Sequence, residues 1–392
     1  MLRKQFKQRP NWVDECKRVG FDFCDLPSQD GSWYWSEGVG YELTLKQVDH
    51  LDDATNELHA MCMSALRDII ASGDYPVEFG LSDVAKVLVE QSWNREDKHL
   101  YGRFDLAYDG NVIKMLEYNA DTPTSLLEAS VVQWDWVMQT EGIPNRDQFN
   151  SIHEKLIERW GIVGQSIAMQ PRVHFCATKE AGREDWGNLE YLMDTATQAG
   201  IDVSELAIEN IGWNGTGFTD LENRPIIGAF KLYAWEWMTN TATDEYGANL
   251  LKAGTRWVEP PWKMILSNKA ILPILWRRNE GHPLLLPAHY DNGMKPMSGR
   301  WVRKPILARE GANVTLLENG QTTTLTGSEF NTEYDKSGYV LQQWVDLPLN
   351  DGFRPLVGSW IIGDQAAGIG IREDVNVVTG NDSHFIPHYF VE

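Results

Sequence analysis

Cysteine is scarce in this chain. The four present, Cys16, Cys24, Cys62 and Cys176, form no C-x-x-C pair and no zinc-ligand spacing. That argues against a disulfide framework or a thiolate metal site, and leaves four buried thiols. Long apolar runs are missing too: none approaches the roughly 20 residues that a membrane-spanning helix needs, so no membrane partner is expected. The opening MLRKQFKQRPNW is basic but has no apolar stretch of the secretory kind, and a cytoplasmic protein is expected. Positive charge is also short, with 35 Lys and Arg against 56 Asp and Glu and a formal net charge of −21. Nucleic-acid affinity rests on neutralising phosphates with cations, so this balance excludes nucleic acid as a partner. The same acidity either steers a cationic partner such as a polyamine or only keeps the protein soluble.

What is present is ordinary globular material in a chain long enough for two or three subdomains, with 42% hydrophobic residues over 392 positions. Seventeen tryptophans are many. Trp134, Trp136, Trp235, Trp237 and Trp276 stand in apolar surroundings, which assigns them to core and cleft packing rather than to a sugar-stacking surface. Residues 44–72 form the clearest helix. Thr44 and Gln47 make a capping box, and Leu45, Val48, Leu51, Leu58, Met61, Ala65 and Ile69 keep helical spacing up to Gly73.

Residues 100–119 read as a hairpin, LYGRFDLAY and VIKMLEYN around a DG turn. Alternation puts Arg103 and Asp105 on one face of the first strand, and Glu117 and Asn119 on one face of the second. A three-residue loop, Asp109-Gly110-Asn111 with a bulge, would pair Arg103 with Glu117 and bring all four together. Four polar groups on one sheet face are costly unless they bind something; the alternative is a solvated hairpin with a cross-strand ion pair. Further on, 172–215 alternates strand and helix as a small parallel α/β unit. Residues 300–310, 338–346 and 356–372 are strand-rich, the last reading as a hairpin across Gly363-Asp364.

Several blocks in order and spacing resemble the glutathionylspermidine synthetase family: RFD (103–105), EYNADTPTS (117–125), SNKAILPILW (267–276), RKPILAREGANV (303–314), QQW (342–344) and GIGIRED (368–374). The resemblance covers nearly the whole chain, without the cysteine amidase domain of bifunctional members. It implies an α/β (α+β) chain with an ATP-grasp fold preceded by an α/β pre-ATP-grasp subdomain. The expected division is 1–160 with the metal-binding hairpin, 161–264 as the pre-ATP-grasp-like unit, and 265–392 as the nucleotide-binding part.

The implied activity is ATP-dependent amide formation through an acyl phosphate, between a glutathione-like small peptide and an amine or polyamine. Asp105, Glu117 and Asn119 then match ligands of two Mg²⁺ ions, as hard oxygen donors suit magnesium. Arg103 and Arg372 match catalytic arginines that steady the transferring group and the tetrahedral intermediate. Lys269, expected to open a helix, and Lys304 match the two lysines facing the nucleotide. Arg309, Glu310 and Gly311 belong to a loop over the phosphates, with Glu310 expected to point outward. Gln342, Gln343, Trp344 and Val345 match the adenine strand.

Thr122, Thr124 and Ser125 match positions that hold the peptide. Glu184 and Asp185, a pair that otherwise reads as a solvated face, match an acidic pair for the amine. Two departures bear on that amine: Trp237 replaces a threonine, and His384 stands where the family has a polyamine-binding aspartate. A ligase for another peptide and amine, or a nucleotide-binding module without turnover, remain the alternatives at this level.

Overall fold

A computed structural model of the protein describes residues 1–28, 31–167, 172–240, 247, 249–292, 298–325, 332–380 and 383–392. Its centre is a five-stranded antiparallel sheet in the order His384–Ile386, Gln365–Asp374, Arg354–Ile362, Tyr101–Tyr108, Ile113–Asn119. Both faces are covered. On one lies the helix Leu45–Ser72, whose Leu51, Leu58, Cys62 and Ala65 share a core with Leu106, Val357, Ile361 and Ile371. On the other, Tyr101, Trp360 and Ile362 pack with Leu156 and Trp160 of the helix Ile152–Ile167. Burial on both sides explains why RPLVGSWII reads as an almost unbroken apolar run.

The long helix starts and stops where its sequence places it. Thr44 Oγ1 accepts the Gln47 N–H at 3.3 Å, Gln47 Oε1 accepts the Thr44 N–H at 3.1 Å, and Gly73 closes it at φ 64°. The hairpin 354–374 turns through Gly363 and Asp364 as expected, with Ile362 opposite Gln365 and only Gly363, at φ 58°, left-handed. All four cysteines are free and buried. Trp136 and Trp235 are core residues, but Trp134 is exposed. No helix among the described residues is long and apolar enough to cross a membrane.

The α/β unit is a four-stranded parallel sheet in the order Arg256–Val258, Gly228–Lys231, Arg172–Ala177, Asp202–Ala207. The helix Arg183–Gln198 connects its last two strands. A second antiparallel sheet runs Ala288–Tyr290, Tyr339–Gln343, Arg300–Pro305, Thr315–Glu318, Gln321–Thr324. A small sheet joins Leu2–Gln5 and His388–Val391 to the two edges of Val39–Thr44. Segments 101–119 and 354–386 thus build one sheet together, although the three-part division of the sequence sets them apart.

Two buried ion pairs tie the parallel sheet to the hairpin. Asp121, just past the second hairpin strand, accepts from Lys231 Nζ at 2.6 Å and from the Trp235 N–H at 3.0 Å. Glu259 accepts the N–H groups of Leu100 and Tyr101 at 2.9 Å each, and pairs with Lys263 at 3.0 Å. Removing one partner of such a pair strands a charge in the core. Asp121→Ala should therefore cost about 3–5 kcal/mol of stability, and the double variant Asp121→Leu/Lys231→Met clearly less. Denaturant unfolding of the single and double variants checks this; equal losses would mean that the pair does not hold the two sheets together.

Candidate active site

The hairpin gathers its polar groups by a route other than the expected one. Its loop has four residues, 109–112, closed by Asp109 Oδ1 accepting the N–H groups of Asn111 and Val112 at 2.8 Å each. From there Tyr108 pairs with Ile113 and Leu106 with Met115. Continued unchanged, that register would seat Asp105 opposite Leu116 and send Glu117 to the other face. A bulge at Leu116 shifts it by one, so Asp105 pairs with Glu117 and Arg103 with Asn119. The expected pairing of Arg103 with Glu117 is thus corrected. The convergence of all four on one face stands.

This face forms one wall of a cleft of about 450 Å³. Arg103 donates from Nε to Asp105 Oδ1 at 2.7 Å and from Nη1 to the Thr124 carbonyl at 2.7 Å. Lys269, in the turn just ahead of the helix Ile271–Arg278, reaches Glu117 Oε2 at 3.3 Å and the Ala308 carbonyl at 2.7 Å. Lys304 projects from its strand to Gln342 Oε1 at 2.8 Å and the Leu116 carbonyl at 3.3 Å. Burial alone would raise the Glu117 carboxyl, but Lys269, Lys304 and Arg103 outweigh it and hold it down at about 2. Burial lowers Lys304 to about 8, with Glu117 pulling the other way.

The loop 309–313 lies across the cleft. Glu310, Gly311 and Asn313 are left-handed at φ 54°, 67° and 55°. A Cβ on Gly311 would meet Val378 Cγ1 at 2.5 Å, so only glycine lets the loop seat against residues 378–379. Arg309 donates to Glu236 Oε1 at 2.6 Å and lies over the Trp237 ring at 4.8 Å. On the adjoining sheet, Gln342 binds the hairpin through its own amide, donating to the Met115 carbonyl at 3.1 Å. Gln343, Trp344 and Val345 line the cleft beside it.

At the opposite end, Glu184 and Asp185 occupy the first turn of the helix Arg183–Gln198 and line the cleft together with Thr122, Thr124 and Arg372. They are not a solvated face. Burial raises both carboxyls, Arg372 opposing it at Glu184 and Arg309 at Asp185, while the Glu310 charge raises both further. Glu310 is exposed, as expected, but it stands at the cleft, close enough for its charge to act on the acidic pair.

Two residues matched to the family's substrate pocket do not line the cleft. Ser125 is buried behind Thr124, at φ 66° and 3.3 Å from the Tyr34 hydroxyl. His384 does not line the cleft either; it is buried with Nδ1 at 2.9 Å from the Trp33 carbonyl. Its place in the sequence matches the family aspartate, but its side chain goes elsewhere.

Sequence reasoning passed over Asp121, Glu236 and the Tyr34–Glu128 pair. A lone acid inside the apolar run LLEASVV was the available signal for Glu128. It is fully buried: Oε1 accepts from the Tyr34 hydroxyl at 2.7 Å, and Oε2 has no partner among the described residues. Burial, and then the Glu184 charge, push its carboxyl up to about 8. A group raised in this sense contributes stability that is complete below the ordinary carboxylate range and is lost as pH rises through about 8. Glu128→Gln, neutral throughout, should lack that loss. Unfolding by urea from about pH 5 to 9 should show the parent weakening relative to the variant; parallel curves would mean that Glu128 is not held protonated by the fold.

The chain as a whole is similar to known proteins. The family described as glutathionylspermidine synthase preATP-grasp matches residues 3–391. A Haemophilus influenzae protein provisionally named an acid–amine ligase is 51% identical over 391 residues, 98% of each chain. Trypanothione synthetase of Crithidia fasciculata is 28% identical over 84% of this chain and 53% of its own length. The bifunctional glutathionylspermidine synthetase/amidase of Escherichia coli is 26% identical over 88% and 58%. The chain thus spans little more than half the length of these two relatives. A glutathione synthetase-like effector of Globodera pallida, solved in its apo form, superposes with a TM-score of 0.56 at 12% identity over 98% of both chains, a likeness of fold alone. On the matched span and the fold together, the chain belongs to the glutathionylspermidine synthase family of C–N ligases and has the mixed α/β, ATP-grasp architecture.

Proposed function

We propose that the cleft uses ATP to activate a carboxylate and joins it to an amine. The observation that carries this reading is the grouping of Asp105, Glu117 and Asn119 on one sheet face with Arg103, Lys269 and Lys304 in the same cleft. Two carboxylates and an amide oxygen side by side are a donor set that suits Mg²⁺. Their present partners, Arg103 and Lys269, match the negative charge that a metal would otherwise meet. Held there by Asp105, Glu117 and Asn119, Mg²⁺ would neutralise phosphate charge and orient the transferring group.

The chain's own groups do the rest. Lys269 and Lys304 would face the phosphates, and the left-handed positions 310, 311 and 313 support a backbone cradle closing over them. Gln342, Gln343, Trp344 and Val345 would border the adenine. An oxygen of the acid attacks the γ-phosphorus and ADP leaves. The amine nitrogen then attacks the acyl carbon, phosphate leaves with that oxygen, and the amine gives up a proton as the amide forms. Arg103 and Arg372 would steady the charge on the transferring group, where preorganised cations act most strongly. Glu184 and Asp185, whose proton affinity burial has raised, suit the departing proton.

Two of the relatives named above are synthetases of glutathionylspermidine and trypanothione, and a small glutathione-like peptide is the acid proposed here, held near Thr122 and Thr124. For the amine, Glu184, Asp185 and Glu310 favour a cation. His384 lies outside the cleft and gives no reason against a polyamine. Trp237 does line it, so the shape of the amine is filtered there.

Glu117→Gln tests the reading. ADP release in the presence of Mg²⁺, acid and amine should fall to background while the far-UV circular dichroism stays unchanged. Turnover like that of the parent would take the metal away from the hairpin.

A further inference from the structure

Behind the sheet that carries the cleft, three side chains from distant parts of the chain meet. His59 sits on the helix Leu45–Ser72, His99 just ahead of the strand Tyr101–Tyr108, and Asp364 in the turn after Arg354–Ile362. Both imidazoles aim Nε2 at one oxygen, Asp364 Oδ1, at 3.3 Å from His59 and 3.1 Å from His99. The rings lie nearly parallel, 5.9 Å apart. Both histidines are buried, whereas the Asp364 side chain is 62% exposed and opens the cluster to solvent.

We propose that His59, His99 and Asp364 form a second metal site, distinct from the hairpin, for a transition-metal ion of the Zn²⁺ class. Two imidazole nitrogens and one carboxylate, with room for water, are a donor set for Zn²⁺ or Co²⁺ and a poor one for Mg²⁺, which prefers oxygen. Ligand atoms about 2.0–2.2 Å from a tetrahedral zinc lie roughly 3.3–3.6 Å apart, so the observed nitrogen–oxygen separations need only small adjustment. The neutral imidazole is the ligating form. Both rings are buried, and burial disfavours the charged form.

The surroundings fit one ligand better than the other. With Nε2 on a metal, the His59 proton moves to Nδ1, where the Tyr118 hydroxyl at 3.3 Å can accept it. His99 Nδ1 has no such partner among the described residues. Lys263 is matched by Glu259 at 3.0 Å, whereas Arg159 donates to the His99 carbonyl at 2.7 Å and meets no carboxylate among the described residues. Affinity should therefore be about 10–100-fold below that of a site with both imidazoles partnered. Tyr118 stands between Glu117 and Asn119, so an ion here would brace the strand carrying two of the proposed Mg²⁺ ligands from its opposite face.

Chelator-stripped protein titrated with Zn²⁺ by calorimetry should bind one ion per chain and gain thermal stability. Asp364→Asn should weaken that binding at least about tenfold and abolish the stabilisation. Glu117→Gln, which disables the hairpin site, should leave both intact. Because Asp364→Asn could disturb folding, Co²⁺ is added to the parent protein as well, where visible d–d bands of a nitrogen–oxygen site should appear. Absence of those bands, no uptake of Zn²⁺ by the parent, or uptake lost in Glu117→Gln but kept in Asp364→Asn would each overturn the proposal.

Discussion

A single extra residue at Leu116 decides which side of the central sheet Glu117 and Asn119 face. Strand side chains alternate with a period of two, so a shift of one moves the whole set. With the bulge, two carboxylates, an amide and a guanidinium are forced into one place, and their charges cannot be left alone there. Lys269 and Lys304 come in from other elements to answer them, and each group's proton affinity is then set by its neighbours. The site is a solution to that local charge problem as much as a place for a ligand.

The fold holds this arrangement by linking its parts through buried polar contacts rather than through surface pairs. Asp121 binds one backbone N–H and Glu259 two, each together with a buried lysine, fixing the parallel sheet against the hairpin. Gln342 does the same from the other sheet by joining Lys304 to the Met115 carbonyl. Three sheets therefore converge on one cleft, and the acidic end, the cationic middle and the loop 309–313 come from three different parts of the chain.

Much of this was legible in the sequence, though not all for the same reason. The long helix followed from its cap and spacing, and the Gly363-Asp364 turn from its residue types. The grouping of Arg103, Asp105, Glu117 and Asn119 followed from alternation, but the register did not, because a longer loop and a shifted bulge compensate each other in parity. Glu184 and Asp185 looked like a solvated face since nothing local reveals that a helix start is roofed by other elements. His384 shows the limit of matching by position: a residue can align with a functional one while its side chain turns to a nearby carbonyl. The Asp364 contacts to His59 and His99 span 305 and 265 positions, which no local pattern can show.

In the proposed mechanism phosphate passes from ATP to an oxygen of the acid before the amine attacks. Isotope transfer tests it most directly. With the acid's carboxylate labelled by ¹⁸O, the released phosphate should carry one labelled oxygen and the nucleotide product should be ADP. Unlabelled phosphate, or label appearing in AMP, would contradict it.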